Sequence, residues 1–419
     1  MQPTRYKYVL AGLIAGIINF DSPGESQLLP TEALLKKRME VWLAHAPICN
    51  GYPSKLDTDT GANCNDGDMA LFSGLLCAAQ VKYKRQDKDI LIGCDAVAAS
   101  QDDTGQWYRS PRRRLDHTID EEERSGNVAS FSPDMAIGVQ LYLASMKDVD
   151  RGNLWLKWLD THRPCWGGNE PECRIRDPRT GIELSNVRGL PRFCLDPPGP
   201  PQSDENEIGR VFRRLGMDFR CSMRPGDLAI LGQTRASLNL YGTTPEDKKI
   251  CSDTTSNAGM DFGARFARLD RLLNLTKLDN VLAIVDGGLP YVMRLACPES
   301  NSWIRLNAEY NDKGFSQHLV AISILQLRQL GVNNPILKDS AARLLAKQPE
   351  NPFFMFLKQG KSEEVLKKIF KHCPKDEQES KTSRKTQWLW EREFTNQNWK
   401  GTSSLWDCIF IGNLWIKGT

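Results

Sequence analysis

Two acidic residues at the starts of predicted helices are candidates for acid–base or nucleophilic chemistry. Asp68 opens the apolar stretch 68–81, Asp134 opens the stretch 135–146, and Asp66 lies just before the first. A carboxylate at a helix N-terminus accepts backbone N–H bonds and gains from the helix dipole, which favours its ionised form. Such a group suits a general base or a nucleophile, although Asp at this position is ordinarily a structural helix cap.

Two acids in the second half of the chain complete the candidate catalytic set. Glu309 lies among Trp303 and Tyr310, whose rings would withdraw it from water and favour the protonated form that a general acid needs. Asp407 lies in the first turn of the last predicted helix, and His318 is a further acid–base or substrate-binding candidate. Glycoside hydrolysis needs two carboxylates, one protonating the leaving oxygen and one acting as base or nucleophile. A surface glutamate and a structural histidine are the ordinary alternatives.

Aromatic and charged side chains that suit ligand binding occur in two places. One is a polar loop after Ser100, and the other is a C-terminal block with five tryptophans in residues 388–415. Aromatic rings give sugars a flat apolar face, while Asp and Arg offer directed hydrogen bonds. Helix packing is the alternative interpretation for the tryptophans. Besides Asp66 and His318, the predicted substrate-binding residues are Asp103, Trp107, Tyr108, Arg109, Arg112, Trp390, Glu391, Arg392 and Trp406.

The stretch 57–68 has oxygen-bearing side chains at alternate positions, as in a calcium-binding loop. The ligands would be Asp57, Asp59, Asn63 and Asp68, but Ala62 replaces the turn glycine and an Asp replaces the terminal Glu. We therefore favour a hydrogen-bonded turn and predict no cofactor and no metal. Motifs for dinucleotides, nucleoside triphosphates, serine hydrolases and zincins are absent from the sequence.

The elements that must position these residues are mainly helices, since most apolar periodicities have helical spacing and few alternate as strands do. We predict an all-α fold. The segments Asp68-Met-Ala and Asp134-Met-Ala each open an apolar helix, 66 residues apart, with Leu and Ala recurring at matching offsets. Repeated helical pairs must stack to bury their faces, so six pairs favour closure into a toroid. The predicted helices cover residues 31–46, 68–81, 135–146, 154–159, 207–216, 260–275, 279–295, 316–330, 336–347, 353–358, 362–371 and 403–416.

At superfamily level the chain resembles the six-hairpin (α/α) toroid carbohydrate-active enzymes, which include glycoside hydrolases and polysaccharide lyases. The resemblance is carried by Asn65-Asp-Gly-Asp68, by Ser132-Pro-Asp134 and by the tryptophan-rich C-terminal segment. It implies an (α/α)6 toroid of helical hairpins with long loops. It also implies an active cleft at one end, lined by loops and the starts of inner helices, and a poly- or oligosaccharide substrate.

Composition narrows the class of protein further. Of 419 residues, 40% are hydrophobic and 26% are charged, as in an ordinary globular protein, and this excludes disorder, collagen and coiled coil. The net charge of +3 does not suggest a nucleic-acid binder. We expect one domain over residues 26–419, with long loop insertions at 100–132 and 163–205.

Residues 1–25 hold a possible signal or apolar segment. Arg5 and Lys7 precede the apolar run 9–20, which has the length of a signal-peptide core and is too short to span a bilayer. No small-x-small cleavage site follows, and a buried element is the alternative. We expect a secreted or periplasmic protein without stable membrane insertion, with a cytoplasmic location as the alternative.

Twelve cysteines would form disulfides in an oxidising compartment and stay as thiols in the cytosol. Cys165 and Cys173 flank a short loop and are a good local disulfide candidate. Cys77 lies inside an apolar helix and is predicted to be a plain core residue.

Three functions remain open at this point. The leading one is an exported glycoside hydrolase with paired acids in an aromatic-lined cleft. The second is a polysaccharide lyase, in which Arg109 and Arg112 would neutralise a uronate carboxylate and Tyr108 or His117 would act as the base. The third is a non-enzymatic helical scaffold that binds a glycan or a protein.

Overall fold

The computed structural model is mainly helical, which confirms the all-α class. It has fourteen helices and six two-residue strands within the part of the chain that it describes. The described residues are 31–56, 64–65, 68–81, 91–115, 133–161, 165–166, 190–191, 225–243, 245–252, 304–305, 307–309, 314–382, 390 and 405–418.

The helices are numbered here in chain order. They are α1 (Glu32–His45), α2 (Met69–Gln80), α3 (Ile92–Ala99), α4 (Pro111–Leu115), α5 (Pro133–Met146), α6 (Val149–Thr161), α7 (Pro225–Leu238), α8 (Pro245–Ser252), α9 (Gly314–Gln329), α10 (Pro335–Lys347), α11 (Pro352–Gln359), α12 (Glu363–His372), α13 (Glu377–Thr382) and α14 (Leu405–Lys417). The strands form three antiparallel pairs. These are β1 (Ile48–Cys49) with β2 (Tyr52–Pro53), β3 (Lys55–Leu56) with β4 (Cys64–Asn65), and β5 (Cys165–Trp166) with β6 (Leu190–Pro191).

Side-chain caps set the starts of several helices. Thr31 accepts a hydrogen bond from the backbone N–H of Leu34 at the start of α1, and Ser362 caps α12 in the same way. Asn334 caps α10 and Asn351 caps α11, and in both helices a proline follows at the first position. Such caps satisfy backbone N–H groups that the helix itself leaves without partners.

Glycines bring α2 and α5 into backbone contact. A Cβ atom added to Gly74 would lie 2.2 Å from the carbonyl oxygen of Gly138, and one added to Gly138 would lie 2.3 Å from that of Ala70. Helix α3 approaches α2 from another side in the same manner, because Gly93 lies against Leu76. All residues of α2 except the last, Gln80, are buried.

A disulfide joins α2 to α3. Cys77 and Cys94 are bonded, with Cα atoms 4.5 Å apart. The prediction that Cys77 is a plain core residue is therefore corrected: the side chain is buried, but it also links two helices. The periodicity that placed it in the core carries no signal about a partner 17 residues away.

Hydrogen bonds between helix ends show that α2, α5 and α9 run in the same direction. Gln329, the last residue of α9, donates to the carbonyl of Ala78 near the end of α2 and accepts from Ser145 near the end of α5. Nearby, Gln326 donates to Thr234 of α7 at 2.7 Å. The backbone N–H of Tyr241, just after α7, donates to the side chain of Asn153 near the start of α6. Because α6 starts where α5 ends, α7 also ends beside the end of α5.

Helices α11 and α14 share this direction. Gln348, just before α11, donates to Gln317 at the start of α9, while Arg328 at the end of α9 donates to the carbonyl of Leu357 at the end of α11. The indole of Trp415 near the end of α14 donates to the carbonyl of Ser362, just beyond α11. Six helices (α2, α5, α7, α9, α11 and α14) therefore begin at one end of the molecule. We call this end the N-terminal face.

Burial separates these six helices from most of the others. The described side chains of α2, α9, α11 and α14 are mostly buried, whereas α1 buries only Leu35 and Trp42 along one stripe. A helix buried around its circumference lies inside a fold, and one with a single apolar stripe lies on its surface. None of the described helices has both the length and the hydropathy needed to cross a membrane.

The predicted long loops are described in part. The first contains α4 and an ordered turn over residues 100–110, and residues 116–132 lie outside the described residues. Only two short strands of the 163–205 insertion are described, and the predicted disulfide partner Cys173 is not among them. Residues 1–25 also lie outside the described part.

We predict that Gly74→Ala lowers the free energy of unfolding by about 3 kcal/mol, because the new methyl group must push two backbones apart. The matched control is Gly152→Ala in α6, where the added Cβ meets side-chain ends and no backbone: that of Leu240 at 2.9 Å and that of Leu143 at 3.6 Å. There the gain in helix propensity offsets the contact, so stability should change by less than about 1 kcal/mol. Urea denaturation measures both values, and equal effects would contradict the close approach.

Candidate functional site

The carboxylate of Asp68 does not cap the helix that it precedes. Asp68 holds the cap position of α2, but its side chain makes no hydrogen bond to the helix N–H groups. Instead, Oδ1 lies 3.4 Å from an N–H nitrogen of Arg109 and Oδ2 lies 3.6 Å from Nζ of Lys55. One third of the side chain remains exposed. Capping therefore does not account for this residue, and a partly exposed carboxylate lies between two cations.

Lys55 is the member of the Asp68–Lys55–Arg109 cluster that was not predicted from the sequence. Its side chain is 3% exposed, and the ammonium group lies 5.3 Å from the ring centroid of Phe72 in α2. Such a cation–ring contact partly offsets the loss of hydration. Its position depends on β3 pairing with β4, which brings Lys55 opposite Asn65. A lone lysine between Ser54 and Leu56 gives no local signal of this pairing.

A disulfide and two hydrogen bonds anchor the segment that carries Lys55. Cys49 of β1 is bonded to Cys64 of β4, with Cα atoms 6.3 Å apart. The carbonyl of Pro47 accepts the backbone N–H of Ser54 and the indole N–H of Trp406 at the start of α14. The strands β1–β4 are thereby held between the starts of α2 and α14.

The loop between α3 and α4 carries two arginines to the same region. Asp102 organises this loop: Oδ2 accepts from the Tyr108 hydroxyl at 3.2 Å, and Oδ1 accepts from the three backbone N–H groups that follow in the turn. Arg109 then reaches Asp68, and Arg112 donates to the carbonyl of Cys64 at 3.1 Å. The loop thus positions three predicted substrate-binding residues, since Tyr108, Arg109 and Arg112 are all half-buried.

Trp107 and Asp103 of the same loop lie apart from this cluster. Trp107 is 1% exposed, and its ring meets that of Tyr142 edge to face at 6.2 Å between centroids. Asp103 is exposed in the turn. The Trp107 ring therefore anchors the loop to α5. Neither Trp107 nor Asp103 is among the described contacts of Asp68.

Asp134 lies at the same end of the fold as Asp68. It is half-buried in the first turn of α5. Gly74 and Gly138 are in contact, and they come six residues after Asp68 and four residues after Asp134. At 1.5 Å per residue, Asp68 lies about 9 Å and Asp134 about 6 Å from this contact along their two parallel helices. The structure therefore brings two of the four predicted catalytic acids to adjacent helix starts.

The other two predicted acids have different surroundings. Asp407 is fully buried in the first turn of α14, beneath Trp390, whose indole N–H donates to the Asp407 carbonyl at 2.8 Å. Glu309 is one-third exposed and lies 3.7 Å from Arg343 of α10. Helix α10 packs against α9 and α11, and Glu309 therefore lies beside this group of helices.

Three predicted binding residues lie near the N-terminal face but are buried beneath its surface. These are His318, Trp390 and Trp406. All three are fully buried. The ring of His318 packs 5.9 Å from that of Phe353, and the backbone carbonyl of Trp390 accepts from Asn351. These side chains tie the starts of α9, α11 and α14 together beneath the surface.

Several predicted site residues lie outside the described part of the chain, and their placement is not assigned. These are Asp57, Asp59, Asn63, Asp66, His117, Glu391 and Arg392. Among the residues that are described, no group of three His, Cys, Asp or Glu side chains is arranged to hold a metal ion.

A charged cluster borders the buried tryptophan. Hydrogen bonds from Lys368 and Lys371 hold the pKa of Glu350 at about 2. Burial lowers the pKa of His372, and the charge of Lys371 adds to this effect. The His372 ring lies edge to face with Trp390, 6.4 Å between centroids. His372 therefore contacts the ring of Trp390, whose indole is hydrogen-bonded to the start of α14.

Comparison of the chain with protein-family models, with curated proteins and with solved structures finds no match. The chemistry of this site is therefore inferred from its own residues and their contacts.

We predict that His372 makes stability fall as the solution is acidified. Below its ordinary pKa of 6.5 the histidine takes up a proton in the unfolded chain, but the folded protein resists protonation because the ring is buried. The wild type should thus lose more stability than His372→Gln between about pH 7.5 and about pH 5.5. Urea unfolding at both pH values gives the difference, and equal losses in the two proteins would contradict it.

We also predict that removing the Cys49–Cys64 bond destabilises the fold. The bond closes a separation of 15 residues, for which the loop-entropy model gives about 3 kcal/mol. The double variant Cys49→Ala/Cys64→Ala should lose that amount in urea unfolding. A double variant as stable as the wild type would show that the hairpin is held without its disulfide.

Proposed function

We propose that this protein is an exported carbohydrate-active enzyme, a glycoside hydrolase built as an (α/α)6 toroid with its active cleft at the N-terminal face. The packing supports a ring: α2 contacts α5, and the series continues through α7, α9, α11 and α14, which contacts α2 again. Helix α9 also packs directly against α5. Helices α1, α3, α6, α8, α10 and α12 pack against members of that series and supply the outer layer. Among the described residues, six helices of this series and six that pack against it support the proposed arrangement of six hairpins.

The state of Asp68 is the observation that carries the proposal. A carboxylate at a helix start usually caps the helix, but this one leaves the cap unmade and stays partly exposed between Lys55 and Arg109. A carboxylate that is not used as a cap and stays open to solvent is placed to take a proton from water or to attack an anomeric carbon.

Asp134 is the proposed partner acid. It opens the helix adjacent to α2 at the same end of the fold. The two carboxylates would divide between them the roles of general acid and of base or nucleophile. A separation of about 5 Å between the two carboxyl groups would give retention of configuration, and about 6.5–9.5 Å would give inversion. Glu309 and Asp407 are less suited, because one lies beside Arg343 and the other is fully buried.

The side chains around Asp68 supply contacts for sugar hydroxyls. One ordered loop carries Tyr108, Arg109 and Arg112. Arg112 donates a hydrogen bond to the carbonyl of Cys64 in the hairpin that carries Lys55. Loops on a rigid scaffold are the usual place for such contacts.

Export is supported by the disulfides. Three cysteine pairs are bonded among the described residues: Cys49–Cys64, Cys77–Cys94 and Cys373–Cys408. Stable disulfides form mainly in oxidising compartments. The basic and apolar N-terminal segment agrees with a secreted or periplasmic location.

A polysaccharide lyase is the second candidate, favoured by the arginines. Arg109 lies at the Asp68 carboxylate, and the nearby Tyr108 hydroxyl is held by Asp102. A lyase needs a cation to neutralise the uronate carboxylate and a base to remove the adjacent proton. Ultraviolet absorbance of an unsaturated product separates this reaction from hydrolysis.

We predict that Asp68→Asn lowers the release of reducing ends from cell-wall, capsular or plant polysaccharides by at least about a hundredfold, as expected for loss of an acid–base group. The matched control is Asp150→Asn, which changes an exposed first-turn aspartate of the outer helix α6 and should keep full activity.

Two results would contradict the hydrolase. One is a folded wild type that cleaves none of these polymers; if it still binds a glycan, the non-enzymatic scaffold becomes the better account. The other is an Asp68→Asn variant that retains wild-type activity.

A further inference from the structure

Lys55 is a buried cation whose hydrogen-bonding capacity is not used by its ion pair. An ammonium group has three N–H donors. Within the described part of the chain its ion-pair partner is Asp68, 3.6 Å from Nζ, which is longer than the ~2.8 Å of a charge-assisted hydrogen bond. The side chain is nevertheless 97% removed from solvent. The N–H donors of Lys55 therefore lie in a region from which the fold excludes most of the solvent.

Burial of such a group works against stability unless the charge is fully hydrogen-bonded. The face of the Phe72 ring gives partial compensation, at 5.3 Å from Nζ. A buried polar group with incomplete protein partners requires an explanation, and an oxygen from a ligand or a bound ion is one such explanation. The environment of Lys55 thus suits an oxygen supplied from outside the chain.

The ammonium group is also held in place. Lys55 lies on β3, within the segment that the Cys49–Cys64 disulfide closes and that Trp406 anchors through Pro47. A cation on a fixed backbone loses little freedom when a ligand binds, which favours its use in recognition.

A second cation lies on the other side of the same carboxylate. Arg109 is 12% exposed and approaches Oδ1 of Asp68, while Lys55 approaches Oδ2. Two cations thus face one carboxylate, at an end of the fold where parallel helices also begin. The positive ends of the helix dipoles add to the potential there. These contributions together favour a ligand that brings negative charge.

We propose that the substrate is an acidic glycan, and that Lys55 binds its carboxylate or sulfate group next to the bond at which Asp68 acts. This inference rests on the proposed function, which it narrows to one substrate class. Lys55 is the residue that determines specificity for charge, with Arg109 as its partner. The Phe72 ring and the disulfide-closed hairpin keep the ammonium in position.

The test compares acidic oligosaccharides with their uncharged counterparts. An array would carry uronate, sialylated and sulfated oligosaccharides beside the methyl-esterified, desialylated and desulfated forms of the same chains. The full-length wild type should bind at least one acidic member at least about tenfold more tightly than its uncharged counterpart, as expected for a charge-assisted hydrogen bond. In Lys55→Met this preference should disappear.

Two further variants separate recognition from folding. Lys157→Met removes another lysine that lies over an aromatic ring, 5.8 Å from the Tyr241 centroid, and should keep the preference. Lys55→Arg keeps the positive charge and should keep part of the preference for acidic oligosaccharides. Thermal unfolding of each variant shows whether a loss of binding is only a loss of fold.

Each outcome decides between the two proposals. Equal binding of charged and uncharged members overturns the acidic-glycan inference and leaves the hydrolase standing. A charge preference that survives in folded Lys55→Met also overturns it. A folded wild type that binds and cleaves no member of either set overturns the proposed function itself.

Discussion

The backbone contact between Gly74 and Gly138 is the constraint on which the rest of the structure depends. It lets two buried helices approach until a single methyl group would no longer fit between them. Helices α2 and α5 pack extensively against each other, and the hydrogen bonds of Gln329 join their C-terminal ends. Their first turns therefore emerge together, and this brings Asp68 and Asp134 to the same end of the fold.

The interior helices position the acids, while the connecting segments supply the cations. Lys55 comes from a hairpin closed by a disulfide, and Arg109 comes from a loop ordered by Asp102 and anchored by Trp107. Two tryptophans of the C-terminal block support these segments. The indole N–H of Trp390 donates to a backbone carbonyl at the start of α14, and that of Trp406 donates to the carbonyl of Pro47 before the hairpin. A rigid base of this kind allows a partly exposed carboxylate to stay between two cations instead of turning back to cap its helix.

Local patterns in the sequence predicted nine of the described helices and missed α3, α4, α7, α8 and α13, and they predicted the contacts poorly. The predicted helices 207–216, 260–275 and 279–295 lie outside the described residues. The stretch 68–81 is α2 with bounds Met69–Gln80, and 362–371 is α12 with bounds Glu363–His372, because apolar spacing and caps act within one helix. The short helix α4 lies inside a predicted loop, where a five-residue run gives too little periodicity to detect. Lys55 and the bond between Cys77 and Cys94 were missed because each depends on pairing between separate elements. The position of Asp68 at a helix start was predictable, but the absence of a capping bond was not.

A crystal structure of Asp68→Asn soaked with an acidic oligosaccharide tests the central claim most directly. The account predicts sugar at the N-terminal face, with its carboxylate or sulfate oxygen bonded to Lys55 Nζ and its scissile bond beside residue 68 and Asp134. Sugar bound at the opposite end, near Gln329 and Ser145, or on the outer helices, would contradict it.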